Sequence, residues 1–528
     1  MVIYGGGTIA SSPCYRAALR RHELRQHADR SPIRPTHRQS SVGTRILTHE
    51  VSALVLDIGG TWTRAGYAGE DIPKVVVPSW VGTTDVGDDT ISKSIRSMGD
   101  MSAANPDVEM GDATAEAKPT EESAAAQKYY IGDTETSTWR PNMGLKSPLE
   151  DGLVTDWDIY ENLWNYCFQK RLRVSPSENP LFVTETAWNT PALREKLVEL
   201  AFEKFDVPAF YVSKDPVLTS FAAGRSTSLV LDCGGTTTSA TAVFDGYALK
   251  KGQVYQNVAG DFISDQILAQ LKRDHQKEVV PRYQVAQKRA VEAGQPADVD
   301  LRVLDGPTDP SYHHRMQLQA VHEYKELVCQ VSETTFNADA LRARPPRAYE
   351  FPDGYNLQVG VARYEVPEIL FQPERFIIDR TQTVRLNGST VPLGAAAPGE
   401  SPAGVGATPT AATNGPAGGG DLLGVPRMIY NCINACDVDM RPHLFSNVIL
   451  TGGSTLFPGF ADRVNFELQH LAPGSRIRIH APGSTVERKF STWLGGSILS
   501  SLGTFHQLWI SKQEYQESGA SIVNKKCQ

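Results

Sequence analysis

Two short stretches decide the fold of this chain: LVLDIGGTWT at residues 54–63 and LVLDCGGTTT at residues 229–238. Eight of the ten positions are identical between the two copies. Each copy predicts a buried strand that ends in an aspartate and is followed by a Gly-Gly turn and hydroxyl side chains. One such turn is typical of an ordinary hairpin, but two copies far apart in the chain indicate a duplicated unit.

The chemistry of these turns predicts a phosphate site. Gly59–Gly60 and Gly234–Gly235 allow the backbone to turn tightly, and the exposed N–H groups of such turns attract anions. Asp57 and Asp232 stand beside the turns, where a carboxylate opposes phosphate unless a divalent cation lies between them. Two equivalent half-domains could therefore hold a nucleoside triphosphate and Mg²⁺ in the cleft between them. A third strand and glycine turn, LTGGST at residues 450–455, predicts backbone close to a base or ribose.

Composition places the chain among folded α/β proteins. It has 528 residues, 40% of them hydrophobic, and a net charge of −8. Its buried apolar strands alternate with helical patterns such as the amphipathic segment at residues 194–205. No apolar run approaches the roughly 18 residues that a membrane span needs. Seven cysteines without a CxxC pair favour a reducing compartment over a disulfide framework. The mild acidity argues against binding nucleic acid through bulk charge and leaves a histone partner open.

Three segments differ in composition from the rest. Residues 1–50 are rich in arginine and poor in acids, which predicts a disordered extension, with a mitochondrial transit peptide as the alternative. Residues 82–127 are acidic, and residues 394–420 consist almost entirely of small residues and proline. Neither could bury enough apolar surface to offset the entropy of ordering, so we expect two mobile insertions.

Longer motifs resemble the actin family, which shares a superfamily with sugar kinases and seventy-kilodalton heat-shock ATPases. They are AGYAGED at 65–71, DGLVTDWD at 151–158, AAGR at 222–225, ERKFSTWLGGSILSSLGTF at 487–505 and WISKQEYQESG at 509–519. The resemblance covers nearly all of residues 51–528. It implies an α/β, actin-like ATPase fold in which duplicated ribonuclease-H-like half-domains flank a nucleotide cleft. The implied first domain comprises residues 51–222 plus 491–528, and the second comprises residues 223–490.

Other motifs are similar to the nuclear actin-related proteins within that family. They are VTETAWNTPALREKL at 183–197, STSLVLDCGGTTTSA at 226–240, VAGDFIS at 258–264 and PDGYN at 352–356. This resemblance implies an ATP-binding scaffold subunit of nuclear chromatin-remodelling and histone acetyltransferase complexes, with roles in transcription and DNA repair. The implied partners are actin and a long helix of a motor or scaffold subunit, with histones or nucleosomes as further candidates and no membrane.

The resemblance also assigns site residues. Asp57 and Asp232 match the aspartates that hold Mg²⁺, or Ca²⁺, through water. Arg64 replaces a phosphate-contacting lysine with a wider planar cation, and Phe457 replaces a tyrosine at the adenosine turn. The residues assigned to ATP are Gly59, Gly60, Thr61, Arg64, Gly234, Gly235, Thr236, Lys325, Glu326, Gly452, Gly453, Ser454, Phe457 and Lys489.

The positions that handle the attacking water depart from the actin pattern. Actin's water-orienting glutamine falls at Asp215, its histidine at Ser239, and the acid of its second loop at Gly235. We therefore expect no enzymatic function, with hydrolysis lost or very slow. An active ATPase stays the alternative, because a carboxylate at position 215 could act as a general base.

Two surfaces carry the partner predictions. In actin, a loop in the place of residues 82–127 inserts into the neighbouring subunit, and its acidic replacement here argues against filament growth. A filament-forming actin-like protein is the alternative, and the insertion could equally be neutral or attract histones. At the opposite end, a groove that accepts partner helices is predicted. Its implied lining is Phe221, Ala222, Gly224, Leu494, Ile498, Leu499, Leu502 and Thr504.

Overall fold

The computed structural model describes residues 52–85, 127–391, 393 and 422–528. The predicted extension 1–50, the predicted insertion 394–420 and residues 86–126 of the predicted acidic insertion lie outside the described residues.

Strands and helices occur throughout the described ranges. The strands are β1 (Leu54–Ile58), β2 (Trp62–Tyr67), β3 (Val75–Pro78), β4 (Val81–Asp85), β5 (Gln127–Tyr130), β6 (Gly144–Lys146), β7 (Leu149–Glu150), β8 (Leu153–Val154), β9 (Leu181–Glu185), β10 (Ala209–Lys214), β11 (Ser228–Cys233), β12 (Thr238–Phe244), β13 (Tyr247–Gln256), β14 (Val285–Arg289), β15 (Asp298–Leu301), β16 (Arg347–Glu350), β17 (Asn356–Val359), β18 (Val384–Leu386), β19 (Ser389–Val391), β20 (Val448–Thr451), β21 (Ile479–His480) and β22 (Ile510–Ser511). The α-helices are α1 (Asp133–Ser137), α2 (Trp157–Asn165), α3 (Pro191–Glu199), α4 (Asp215–Ala222), α5 (Gly260–His275), α6 (Pro310–Val328), α7 (Ala338–Arg342), α8 (Ala362–Glu365), α9 (Pro373–Phe376), α10 (Val425–Asn434), α11 (Arg441–Phe445), α12 (Phe460–Leu471), α13 (Thr485–Ser500), α14 (Lys512–Ser518) and α15 (Ile522–Lys526). Tyr166–Leu172 and Leu200–Lys204 are π-helical, and short 3₁₀ turns cover Pro176–Glu178, Arg282–Gln284, Pro367–Leu370, Gly453–Leu456 and Gly503–Gln507.

The two main sheets repeat one topology. The first has the order β22-β10-β9-β1-β2-β3 and the second the order β19-β18-β13-β12-β11-β20-β21. In each, three antiparallel strands (β3-β2-β1 and β13-β12-β11) are followed by two parallel ones (β9-β10 and β20-β21). The two copies of the repeated motif form the equivalent strands β1 and β11. The predicted duplication and the α/β fold are therefore confirmed.

Each sheet has its own hydrophobic core. The first core is built from residues 53–221 and 493–527, and the second from residues 229–472. We call the parts of the chain around these cores the first and second lobes. The predicted domain boundaries stay a prediction.

The prediction of an acidic insertion at residues 82–127 was wrong at both ends of that range. Gly82–Asp85 and Gln127 are strand residues, because β4 pairs with β5 and β6 in a three-stranded sheet. Gly82 opposes Tyr130 there, and a Cβ at Gly82 would collide with the sulfur of Met143. The composition of residues 82–127 as a whole did not indicate these strands, because most of their pairing partners, such as Tyr130 and Gly144, lie outside that range.

The helix predicted at residues 194–205 is present as α3 and the π-helical segment that continues it. Leu197, Leu200 and Ala201 are buried in the first core, as their spacing predicts. No helix in the described part of the chain is both long and apolar enough to cross a membrane.

Candidate functional site

A cavity of about 690 Å³ lies between the two lobes. It is lined by residues from both repeated turns, from the third glycine turn and from helices α6 and α13. All sixteen residues predicted for the nucleotide and the metal line this one cavity: Asp57, Gly59, Gly60, Thr61, Arg64, Asp232, Gly234, Gly235, Thr236, Lys325, Glu326, Gly452, Gly453, Ser454, Phe457 and Lys489. The structure therefore brings the predicted residues together, and their ligand stays a prediction.

The two repeated turns face each other across the cavity. Each is closed by the same backbone hydrogen bond, from Gly59 N–H to the Trp62 carbonyl (3.0 Å) and from Gly234 N–H to the Thr237 carbonyl (2.9 Å). A Cβ added to the second glycine of the first turn, Gly60, would collide with the side chain of Thr236 in the other turn. The same addition at Gly235 would collide with Thr61. Glycine at these positions is thus what lets the lobes approach.

The third glycine turn is locked onto the second repeated turn. Gly452 has φ +91°, and a Cβ there would collide with the Cys233 carbonyl and with Asp232. Ser454 Oγ donates to the Gly234 carbonyl at 2.8 Å. Because of these contacts, the backbone of the third turn forms one wall of the cavity beside Asp232.

The two predicted metal aspartates have different surroundings. Asp57, at the end of β1, accepts hydrogen bonds from Arg64 Nη1 at 2.7 Å and from Thr184 Oγ1 at 2.9 Å. Asp232 occupies the equivalent place at the end of β11. Burial raises the pKa of Asp232 to about 6, with Arg64 lowering and Asp57 raising it to lesser extents.

Asp215 adds a third carboxyl to this region. It follows β10 and begins α4, at the same edge of the parallel strands as Asp57. Its Oδ1 is buried and has no hydrogen-bond partner in the described structure. Burial, followed by the charges of Asp57 and Asp232, raises the pKa of Asp215 well above its usual value.

At the other end of the cavity, Lys325 is held by protein groups. Its buried ammonium donates to the Gly260 carbonyl at 2.6 Å and to Ser264 Oγ at 2.9 Å. Burial lowers the pKa of Lys325. This lysine therefore fixes the start of α5 against α6, and its predicted role in binding ATP stays a prediction.

Glu326 lies in a small charge network that joins α6 to α13. It accepts a hydrogen bond from Lys489 Nζ at 3.1 Å, and His322 Nε2 lies 3.5 Å away. His322 and then Lys489 lower the pKa of Glu326 to about 2. Glu326 is thus ionised at neutral pH and faces the cavity with a partner from the neighbouring helix.

Several lining residues were missed by the sequence analysis. They are chiefly Thr186, Asp261, His322, Phe490 and Thr492. A helical signal could have found His322, because it precedes Glu326 by four residues and therefore lies on the same face of α6. The others come from segments without a phosphate-turn pattern.

The polar groups left unpaired in the cavity suit a polar ligand. Thr61 Oγ1, Arg64 Nε and Asp215 Oδ1 belong to lining residues, are buried and lack partners in the described ranges. Buried polar atoms without partners are costly, so a ligand that satisfied them would be bound more tightly. Within the described residues, no group of three or more His, Cys, Asp and Glu side chains could hold a metal directly. The carboxylates of Asp57 and Asp232 are compatible with a divalent cation that is held through its water ligands.

Comparison with known proteins identifies the family. The sequence model described as Actin matches residues 48–528. The chain belongs to the actin family. It is similar to proteins named actin-related protein 4 from Oryza sativa subsp. indica (39% identical), Schizosaccharomyces pombe (38%) and Arabidopsis thaliana (37%). Each alignment covers 90% of this chain and 98–99% of the relative.

The face predicted to bind helices in this actin-family chain lies where α4 packs against α13. Gly495 permits the close approach, since a Cβ there would collide with the Leu218 carbonyl. Phe221 and Leu502 are almost wholly buried in the first core. The remaining predicted residues of this face are partly or fully exposed: Ala222, Gly224, Leu494, Ile498, Leu499 and Thr504. The exposed part is therefore smaller than predicted, and its use as a groove stays a prediction.

Proposed function

We propose that this chain binds ATP with a divalent cation between its lobes and serves as a non-hydrolysing scaffold subunit of nuclear chromatin-remodelling and histone acetyltransferase complexes. The observation that carries the nucleotide proposal is a cavity to which both repeated turns contribute. Its volume of about 690 Å³ is in the range of small-molecule and cofactor sites.

The two ends of the cavity suit the two ends of ATP. The backbone N–H groups of the facing turns, together with Arg64, would bind the phosphates. Asp57 and Asp232 would hold Mg²⁺ or Ca²⁺ through water, and the cation would neutralise charge between carboxylates and phosphates. Glu326, Lys489 and the Gly452–Gly453 backbone would bind the adenosine.

The surroundings of Asp215 support slow or absent hydrolysis. Burial and the charges of Asp57 and Asp232 raise the pKa of Asp215, so they disfavour the carboxylate form that a general base needs. Pro216 is buried in the first turn of α4 and restricts local adjustment. Ser239 and Gly235 provide no imidazole or carboxylate at the other two positions.

The scaffold part of the proposal rests on the family and on the relatives named actin-related protein 4. We propose actin and a long helix of a motor or scaffold subunit as partners, with histones as further candidates and no filament formation. The partly exposed apolar side chains Leu494, Ile498 and Leu499 suit helix-in-groove binding, which depends on a few apolar anchors.

The nucleotide proposal is tested by denaturing the purified protein and identifying what it releases. ATP is expected, with no phosphate produced during prolonged incubation. Recovery of mainly ADP, with continuous phosphate release, would instead support the active-ATPase alternative. Absence of any nucleotide, together with no binding of added Mg·ATP, would refute the site.

Partner binding is tested with Leu499→Asp. Burying an unpaired polar group costs roughly 1–3 kcal/mol, and burying an unpaired charge among apolar anchors costs more. Co-purification of actin and of the partner helix should be lost, while the nucleotide content should be unchanged because the cavity lining does not include Leu499. Glu517→Lys, on the exposed face of α14, is the matched control. Undiminished capture by folded Leu499→Asp protein would place the interface elsewhere.

A further inference from the structure

A run of alternating side chains forms one edge of the second sheet. The run is Arg476-Ile477-Arg478-Ile479-His480, and it ends in β21, the edge strand next to β20. Ile477 and Ile479 pack against the second core. Since successive side chains of an extended segment point to opposite sides, Arg476, Arg478 and His480 face away from that core. Arg476 and Arg478 are exposed to solvent.

Helix α4 brings a third arginine to the same side of the sheet. Ile449 of β20 stands beside His480 in the strand register and belongs to a small core against which Val217 of α4 packs. Arg225 follows α4 and is fixed there by Ser220. The Arg225 N–H donates to the Ser220 carbonyl at 2.9 Å, and its carbonyl accepts from Ser220 Oγ at 2.8 Å.

The surroundings of His480 show that these cations lie close together. Burial, followed by the charges of Arg225 and Arg478, lowers the pKa of His480. Both guanidinium groups are therefore near enough to His480 to oppose its protonation. We call Arg225, Arg476, Arg478 and His480 the arginine strip.

The three arginines of the strip lack acidic partners. Within the described ranges, their guanidinium groups make no ion pair and no hydrogen bond. Other exposed arginines of the second lobe are paired, such as Arg282 with Glu323 at 2.6 Å and Arg289 with Asp298 at 2.8 Å. Like charges that are held close together repel one another, and a bound anion relieves that repulsion. The strip therefore suits a ligand with several closely spaced negative charges.

The chemistry of the strip favours nucleic acid over a protein partner. Protein interfaces depend on a few apolar or aromatic anchors. The isoleucines of this run pack against the core, so the strip offers only cationic and polar groups. Duplex DNA carries one negative charge for about every 1.7 Å of its axis. The planar guanidinium group binds phosphate through two parallel hydrogen bonds.

We propose that the arginine strip binds the phosphate backbone of duplex DNA without reading its sequence. The whole chain carries a net charge of −8, so the attraction comes from this local strip and not from bulk charge. No residue of the strip lines the cavity between the lobes. The proposal goes beyond the scaffold role, because it gives this chain its own contact with DNA, and it depends on neither the nucleotide site nor the partner groove.

Binding through phosphates alone has a recognisable salt dependence. Each phosphate contact releases counterions, so a plot of log K against log salt concentration has a slope of about −0.9 for each contact. Three arginines predict a slope of up to about −2.7 and a dissociation constant of about 10⁻⁴ to 10⁻⁶ M at physiological salt. Two duplexes of unrelated sequence should bind equally well.

The first test removes two charges with Arg476→Gln combined with Arg478→Gln. Fluorescence anisotropy of a labelled duplex, measured between about 50 and 200 mM salt, should show affinity falling about tenfold or more and the slope becoming less negative by about 1.8. The matched control is Arg282→Gln combined with Arg289→Gln, which removes two exposed arginine charges from the same lobe. Because those arginines are paired with acids, the control should bind DNA within about twofold of the wild type.

The second test uses the wild-type protein and does not depend on a variant that folds. Phenylglyoxal modifies accessible arginines, and mass spectrometry locates the modified positions. Duplex DNA should protect Arg225, Arg476 and Arg478, whereas the exposed Arg342 should stay reactive. Polyglutamate, added in place of DNA at the same concentration of negative charge, should protect much less.

The outcomes decide the proposal. Loss of affinity in the strip variant but not in the control, with protection of the strip by DNA, supports it. Three results would overturn it: no binding of DNA by the wild type at about 50 mM salt, equal losses in the two double variants, or equal protection by polyglutamate. The last result would make the strip a site for acidic protein segments. Absence of bound ATP would refute the nucleotide site and leave this proposal standing.

Discussion

The two repeated hairpins, β1–β2 and β11–β12, share their backbone and differ in charge. Each turn is closed by the same glycine N–H bond, and each first-glycine carbonyl accepts from a serine hydroxyl, Ser79 at 2.6 Å and Ser454 at 2.8 Å. In the strand register, however, Arg64 stands opposite Asp57, whereas Ser239 stands opposite Asp232.

This difference shows that the duplication preserved the backbone of the turns and not the charge balance. In the first hairpin an ion pair at 2.7 Å neutralises the aspartate within the protein. In the second, a hydroxyl brings no charge, and the pKa of Asp232 is raised to about 6. An external cation would therefore neutralise more uncompensated negative charge at Asp232 than at Asp57.

The largest expected effect comes from removing each aspartate's charge in protein free of nucleotide and metal. Asp57→Asn leaves the mostly buried Arg64 guanidinium without its partner and should lower the free energy of unfolding by about 3 kcal/mol. Asp232→Asn should cost far less or stabilise the protein. Urea unfolding in the presence of a chelator measures both.

A double variant sharpens the same test. Asp57→Asn combined with Arg64→Met removes both charges and should recover much of the lost stability. Equal losses for Asp57→Asn and Asp232→Asn would show that the two hairpins are electrostatically equivalent, contrary to the comparison.

A smaller effect, of equal size in the two hairpins, is expected from the facing glycines. Gly60→Ala and Gly235→Ala each force a methyl group against the opposite turn's threonine and should each cost about 2 kcal/mol through overpacking. Gly503→Ala is the control, because no heavy atom lies within 4 Å of the added Cβ. Thermal unfolding and Mg·ATP titration measure the losses. A cost in only one hairpin would mean that the turns do not face each other symmetrically.

The smallest expected effect is a pH dependence carried by Asp232. A carboxyl whose pKa is raised by folding stabilises the protein at acidic pH, and this contribution is lost as the pH rises through about 6. The stability of wild-type protein relative to Asp232→Asn should therefore fall between pH 4.5 and 7.5, on the order of 1–2 kcal/mol because the open cleft partly solvates the group. Urea unfolding of the ligand-free proteins at a series of pH values provides the difference. If the stability difference between the two proteins did not change with pH, or grew as the pH rose, the raised pKa of Asp232 would be contradicted.

The sequence by itself determined the duplication and the residues of the cavity. Strand, terminal aspartate and glycine turn are encoded within ten consecutive residues, so the repeats at 54–63 and 229–238 predicted β1 and β11 and placed Asp57 and Asp232 at their ends. All sixteen predicted residues line one cavity because each belongs to such a local motif or to one matched through the actin family.

Only the tertiary structure decided which of these residues pair with one another. Three features depend on segments that are distant in sequence. They are the close approach of Gly60 and Thr236, the hydrogen bonds from Lys325 to Gly260 and Ser264, and the burial of Phe221 and Leu502. The strand at Val81–Asp85 arises in the same way, within a range whose composition alone indicated an insertion. So does the small hydrophobic core in which Tyr130, Met143 and Leu145 pack against Tyr312 of α6. Local patterns specify what each segment can form, but the packing of the two lobes determines which surfaces meet and which polar groups are satisfied.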